Sequence, residues 1–222
     1  FAQFVAVPEH ILYRLPQGLK FEQAAMVEAL SIALHAVNRT PRQAGDAVAV
    51  FGAGMIGLLV IQTLRLAGAG RIIAVDIEPE KLALARRLGA DETIDASDAD
   101  AAAEVFRLTA GRGADAAFEV VGVPPTVDAA VRSVRKGGSV TLVGNVSPKV
   151  ELPLQTSVTR ELTLYGSCAS SGEYPACLDL IASGRINVDA LMSAVAPLAE
   201  GAAWFDRLYG KERGLMKVVL QP

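Results

Sequence analysis

AVAVFGAGMIGLL, Ala47 to Leu59, sets three glycines within six positions inside an otherwise apolar run. Such a stretch has three readings: the loose packing of a membrane helix, a purely steric turn, or a place where backbone must come close to a ligand. The uncharged run from Ala47 to Leu64 just reaches the length of a membrane span. Gly52, Gly54 and Gly57 interrupt it, however, and Asp46 and Arg65 bound it. Ala47 to Phe51 suits a strand, while Leu58, Leu59, Ile61 and Leu66 fit a buried helix, so periodicity favours strand, turn and helix over a span.

Outward from this unit the same alternation continues. Ile72 to Val75 is a β-branched run ending at Asp76, and Pro79 starts a helix with Leu82, Ala85 and Leu88 on one face and Gly89 at its end. A short strand is predicted at Thr93 and Ile94, then a helix from Ala101 to Thr109 stopped by Gly111 and Gly113. Strand Ala116 to Val121, a helix from Pro125 to about Val134, a Gly137-Gly138 turn and strand Val140 to Val143 follow. Leu162 to Tyr165 reads as a sixth strand, and Tyr174 to Ser183 as a helix capped by Gly184. Near-continuous apolar strands separated by helices imply a doubly wound α/β fold, a parallel sheet covered on both faces. Phe1 to Val27 and Val195 to Pro222 lack that alternation, apart from a small strand at Lys217 to Leu220.

Gly52-Ala53-Gly54-Met55-Ile56-Gly57 is G-x-G-x-x-G. In a dinucleotide fold the first glycine makes the tight turn, the second lets backbone approach a pyrophosphate, and the third allows close helix-strand packing. The helix that starts there presents free N–H groups and a positive dipole end to phosphate. The hexapeptide alone is weak, but Asp76 stands 19 residues after Gly57 at the end of the next strand. A carboxylate there accepts from both adenosine ribose hydroxyls and repels a ribose 2′-phosphate, so NAD is expected rather than NADP. A glycine turn with a surface Asp, or a methyltransferase turn for S-adenosylmethionine, remains the competing reading. Lys81 is placed to reach the same ribose, or is a solvated helix lysine. Val121-Gly122 and Val143-Gly144 stand at the carboxyl ends of strands four and five, where ligands sit in an open parallel sheet, or serve only as turns.

With 222 residues and a net charge of −3, the chain has no basic footprint for nucleic acid or anionic membrane, which favours small-molecule partners. Cys168 and Cys177 make neither a disulfide framework nor a metal knuckle, so a reducing cytoplasm is the expected compartment. The chain opens at Phe1 without an initiator Met or signal-peptide pattern, and is expected to be a piece of a longer chain.

Catalytic groups are scarce. There is no H-x-E, C-x-x-C or H-E-x-x-H, and no tyrosine has a lysine four residues later. His35, in EALSIALHAVNR, reads as a packed helix residue, His10 falls in the atypical amino-terminal segment, and both cysteines read as small buried hydrophobes. Glu28, in AAMVEALSIAL, is a lone carboxylate among apolar residues whose ordinary reading is a helix-start acid.

These residues resemble the zinc-dependent medium-chain dehydrogenases, especially the polyol and threonine dehydrogenase branch. The resemblance runs in order through FAQFVAVPEHILYRLPQGLKFEQAAMVEALSIALHAV, VFGAGMIGLLVIQTLRLAGAGRIIAVDIEPEKLALARRLGAD, FEVVGVPPTVDAAV, GGSVTLVG, ELTLYGS and KVVLQP. It implies an NAD-binding Rossmann domain at 29–190, with 1–28 and 191–222 as flanking remnants of a mostly absent GroES-like catalytic domain. It further implies a zinc ion with Glu28 as ligand or close support, other ligands in the absent domain, and hydride transfer from an alcohol to NAD. The alcohol would be a secondary alcohol, a sorbitol- or galactitol-phosphate-like polyol, or threonine. After LYGS the chain reads Cys168-Ala169, where sorbitol dehydrogenases commonly place an arginine near the substrate. The family also implies a homodimer or homotetramer pairing through the edge strand at Leu162 to Tyr165. A non-catalytic nucleotide-binding or regulatory module is the alternative from another class.

Overall fold

The computed structural model describes all residues, 1–222. Along the chain the elements are α1 (Phe21–Ala24), α2 (Val27–Arg39), β1 (Ala47–Phe51), α3 (Met55–Leu66), β2 (Arg71–Asp76), α4 (Pro79–Arg87), β3 (Glu92–Asp95) and α5 (Ala101–Leu108). They continue with β4 (Ala114–Glu119), α6 (Pro124–Ser133), β5 (Val134–Leu142), α7 (Leu154–Thr159), β6 (Thr163–Gly166), α8 (Tyr174–Ala182), β7 (Met192–Pro197), α9 (Gly201–Tyr209) and β8 (Lys217–Gln221). The chain divides into two compact units, residues 32–171 and residues 1–31 together with 172–222. No helix is long and apolar enough to cross a membrane.

In residues 32–171 six strands form one parallel sheet in the order β3-β2-β1-β4-β5-β6. The chain winds outward from β1 to β3, returns, and winds outward the other way from β4 to β6. The reversal opens a crevice at the carboxyl ends of β1 and β4, the usual ligand position in such a sheet. Val48 to Phe51 and Ile72 to Val75 are buried throughout, as strands covered on both faces must be. Val105, Val131 and Val140 pack with Ala49, Phe51, Ile73 and Val75 in one core cluster. Pro79 and Pro124 occupy first-turn positions, where a missing N–H costs nothing, and the Asp100 carboxylate caps α5 by accepting from the N–H groups of Ala102 and Ala103. β6 is an edge strand.

Two strands differ from the sequence expectation. β4 runs Ala114–Glu119 rather than 116–121, because the Glu119 carboxylate draws in the N–H groups of Val121 and Gly122 and curls the chain out of the sheet. Gly137-Gly138 does not precede β5 but lies within it. Val134 already pairs with Ala114, and pairing resumes at Ser139 with Ala116 after an irregularity that the two glycines absorb.

Asp115 ties the amino ends of these strands. Its side chain is only 5% exposed, and its oxygens accept from Ala47 N at 3.0 Å, Arg112 at 2.5 and 2.9 Å, and Arg135 Nε at 2.7 Å. Burial pushes the carboxyl up, but the bonds from Arg112, Arg135 and the Ala47 N–H outweigh it and hold the group at about 2, below its ordinary 3.8. A depressed carboxylate contributes stability that is complete above its unfolded pKa and disappears as pH falls through the folded value. Acid titration should therefore remove about 2 kcal/mol between about pH 4 and pH 2. Urea melts should show this component missing from Asp115→Asn; a variant with the wild-type pH profile would contradict it.

In residues 1–31 and 172–222, β7 and β8 pair in parallel with α9 between them in sequence, so the carboxyl-terminal segment does contain a β-α-β alternation. The sequence concealed β7 because Met192–Pro197 is mostly half-buried or exposed and lacks an apolar run. Gln23 Nε2 donates to both Asp189 oxygens at 3.0 and 3.1 Å, and the Tyr13 and Tyr174 rings lie 5.3 Å apart.

Candidate dinucleotide site

The turn after β1 is closed by backbone bonds, with Gly52 N–H donating to Val75 O at 2.8 Å and Val120 N–H to Phe51 O at 2.9 Å. Gly52 has φ +101°, and a Cβ there would stand 2.6 Å from Val121 Cγ2. Gly57, in the first turns of α3, lies directly against the turn: its Cβ would fall 1.8 Å from Gly52 O and 2.9 Å from Gly52 C. The protein's own packing thus requires both. Gly54 is different. Its φ of −71° and ψ of −173° suit any residue, and a Cβ would meet nothing within 4 Å. Nothing in the protein demands glycine at that position, so open space outside the backbone is what the residue preserves.

Gly54 is also the N-cap of α3 and has no side chain to accept from the first-turn N–H groups. Met55 and Ile56 begin the helix and are half-buried. A cleft with uncapped donors and no covering side chain fits an anion held by backbone.

Asp76 ends β2. Its Oδ2 accepts from Ala53 N–H at 2.6 Å, and its Oδ1 from the N–H groups of Ile77 and Glu78 at 2.8 and 3.0 Å. The carboxylate therefore pins the glycine turn, and of its four lone-pair sites one, on Oδ2, remains for a further donor. Lys81 does not stand free: its Nζ pairs with Glu78 Oε1 at 2.6 Å.

Gly122 and Gly144 press the loops after β4 and β5 together. A Cβ on Gly122 would lie 2.3 Å from Asn145 N, and one on Gly144 would lie 2.2 Å from Gly122 N. Val143 follows β5 directly, its N–H donating to Glu119 O at 2.8 Å. The sequence reading missed Glu119, which is wholly buried. Its carboxylate accepts from Val121 N–H, twice from Gly122 N–H and from Thr126 Oγ1 at 2.6 Å, so it fixes the loop containing Val121 and Gly122. The available signal was an acid ending a buried strand immediately before a Val-Val-Gly turn.

Glu28 lies in the other unit, exposed in the first turn of α2 beside the buried Ala29 and Leu30, with its backbone carbonyl accepting from Ser31 Oγ at 2.7 Å. Burial, then the charge of Glu28, pushes the Tyr174 hydroxyl above its ordinary value. Cys177 is buried and its thiol pushed up to about 12, first by burial and then by Glu173, which suits a small packed hydrophobe; Cys168 is exposed. No three His, Cys, Asp or Glu side chains gather into a metal-holding group.

A glycine turn at the reversal point of a 3-2-1-4-5-6 parallel sheet, with an acid at the next strand end, defines a dinucleotide-binding α/β unit. The family model for zinc-binding dehydrogenases matches residues 56–183. The chain is 31% identical to sorbitol dehydrogenase of Bacillus subtilis (strain 168), over 100% of this chain and 63% of that protein. It superposes on the crystal structure of 2R,3R-butanediol dehydrogenase from Bacillus subtilis with TM-score 0.90 and 37% identity, covering 97% of this chain and 62% of that one. A zinc-binding dehydrogenase from Sinorhizobium meliloti 1021, solved bound to NADP, gives TM-score 0.88 and 32% identity over 97% and 64%. The chain belongs to the zinc-dependent medium-chain dehydrogenase family. It spans less than two thirds of the length of these relatives.

Proposed function

We propose that this chain supplies the NAD-binding half of a zinc-dependent dehydrogenase that moves hydride between a secondary alcohol or polyol and NAD. The observation that carries the cofactor reading is Gly54, a glycine that no neighbour requires, beside uncapped helix donors and within the turn that Asp76 holds. The family and its NADP-bound member support a nicotinamide dinucleotide. Asp76 supports NAD over NADP, since a 2′-phosphate beside that carboxylate meets like charge. The sorbitol and butanediol dehydrogenase relatives support an alcohol or polyol substrate.

Zinc, when bound, lowers the pKa of an alcohol hydroxyl and stabilises the alkoxide. Glu28 would supply one carboxylate oxygen to it, or support the ligands that do. Since no trio of donor side chains gathers in these residues, the other ligands would come from outside them. Within the chain, the first turn of α3 binds pyrophosphate and Asp76 accepts from the adenosine ribose. Glu119, by fixing the Val121-Gly122 loop against Val143-Gly144, shapes the floor on which the nicotinamide end rests.

Asp76→Ala should weaken NAD binding by about 1.5 to 3 kcal/mol, roughly ten- to 150-fold, through loss of charge-assisted hydrogen bonds. NADP should lose less, because the variant also removes the repulsion. Calorimetric titration reads both: equal losses would reduce Asp76 to a pin for the turn, and unchanged NAD affinity would refute its cofactor role.

A further inference from the structure

Glu78 has no part in the site as described, yet its position beside the ribose acid calls for an account. It is the N-cap residue of α4, but its side chain caps nothing. Its backbone N–H donates to Asp76 Oδ1 at 3.0 Å, which fixes its Cα beside the acid. Its carboxylate instead holds Lys81 Nζ at 2.6 Å, with the two side chains 55% and 31% exposed. An acid two residues beyond Asp76 thus restrains a cation three residues further on, one turn along the same helix.

The consequence is electrostatic. The adenosine end of a dinucleotide carries two hydroxyls in NAD and an added phosphate dianion in NADP. A lysine ammonium is a mobile point charge on a flexible stem, well suited to a phosphate when free and poorly when neutralised. Asp76 alone would repel the 2′-phosphate, while an unrestrained Lys81 would partly offset that repulsion.

We propose that Glu78 is a cofactor-selectivity residue, holding Lys81 in an ion pair that keeps its charge from serving a ribose 2′-phosphate. The proposal rests on the reading of Asp76 as the ribose acid and extends it from one residue to three. Selectivity then has two parts: a carboxylate that repels the phosphate and a second carboxylate that occupies the cation able to attract it. A stability role is a poor alternative, because a partly exposed i,i+3 pair contributes little to folding.

Fluorescence titration of NADPH and NADH, at low ionic strength where exposed charges are least screened, tests it without any turnover. Glu78→Gln keeps the side-chain shape and should tighten NADPH binding about three- to fivefold, the scale of an exposed ion pair, while NADH changes less than about twofold. In a Lys81→Met background the same substitution should give no gain. A gain that persists there would mean that Glu78 repels the phosphate directly, and would overturn the restraint; no gain in the parent background would overturn it as well. The Asp76 reading fails separately, if the unaltered protein binds NADPH as tightly as NADH, and that result would remove the present proposal with it.

Discussion

Gly57→Ala is expected to lower stability by about 2 kcal/mol or more and to abolish tight dinucleotide binding with it, although alanine is the better helix former. Two effects oppose each other at this site. Replacing glycine inside a helix gains up to about 1 kcal/mol from propensity. The new Cβ, however, would lie 1.8 Å from Gly52 O, far inside any carbon–oxygen contact distance, and the obstacle is backbone that a rotamer change cannot clear. Either α3 moves off β1 or the turn at Gly52 opens. Opening the turn also loosens Ala53 N–H from Asp76 Oδ2 and Gly52 N–H from Val75 O. Urea unfolding followed by far-ultraviolet circular dichroism, together with NADH titration, reads both effects, and a variant of wild-type stability would show that the turn is softer than the packing implies.

The glycine turn was legible in the sequence because its constraints are local. Phe51, Gly52, Gly54 and Gly57 fall within seven consecutive residues, and Asp76 ends the very next strand. The six-strand sheet was legible for a related reason: strands buried on both faces must be apolar throughout, and Val48 to Phe51, Ile72 to Val75 and Ala116 to Phe118 are. What escaped notice depends on distant partners. Asp115 and Glu119 look like polar interruptions of β4, and only the fold brings Arg112, Arg135 and Ala47 to one, and the Val121, Gly122 and Thr126 donors to the other. Gly137-Gly138 looked like a turn because glycine pairs usually are turns, whereas here they absorb a register shift inside β5. β7 escaped because a pair of strands with much exposed surface carries no apolar signature. The Glu78–Lys81 pair was invisible for a different reason: sequence spacing allows the contact, but cannot say whether the lysine is engaged by its neighbour or free for a ligand.

The second large effect is expected at Gly54, and it separates binding from folding. Gly54→Val adds a branched side chain whose Cβ would meet no non-adjacent atom within 4 Å, on backbone angles that valine accepts. Valine is a poorer N-cap than glycine, which costs at most about 1 kcal/mol. In the proposed cofactor role the pyrophosphate approaches the backbone at Gly54, so filling that space should weaken NADH binding by about a hundredfold, ~3 kcal/mol. Gly57→Ala damages the turn and the site together; Gly54→Val should leave the turn and fill the site.

Calorimetric titration of NADH into the parent protein and Gly54→Val, each with its urea stability measured alongside, tests the central claim that this glycine is kept for a dinucleotide. The account predicts stabilities within about 1 kcal/mol and NADH affinities about a hundredfold apart. Equal NADH affinities in two equally stable proteins would contradict it.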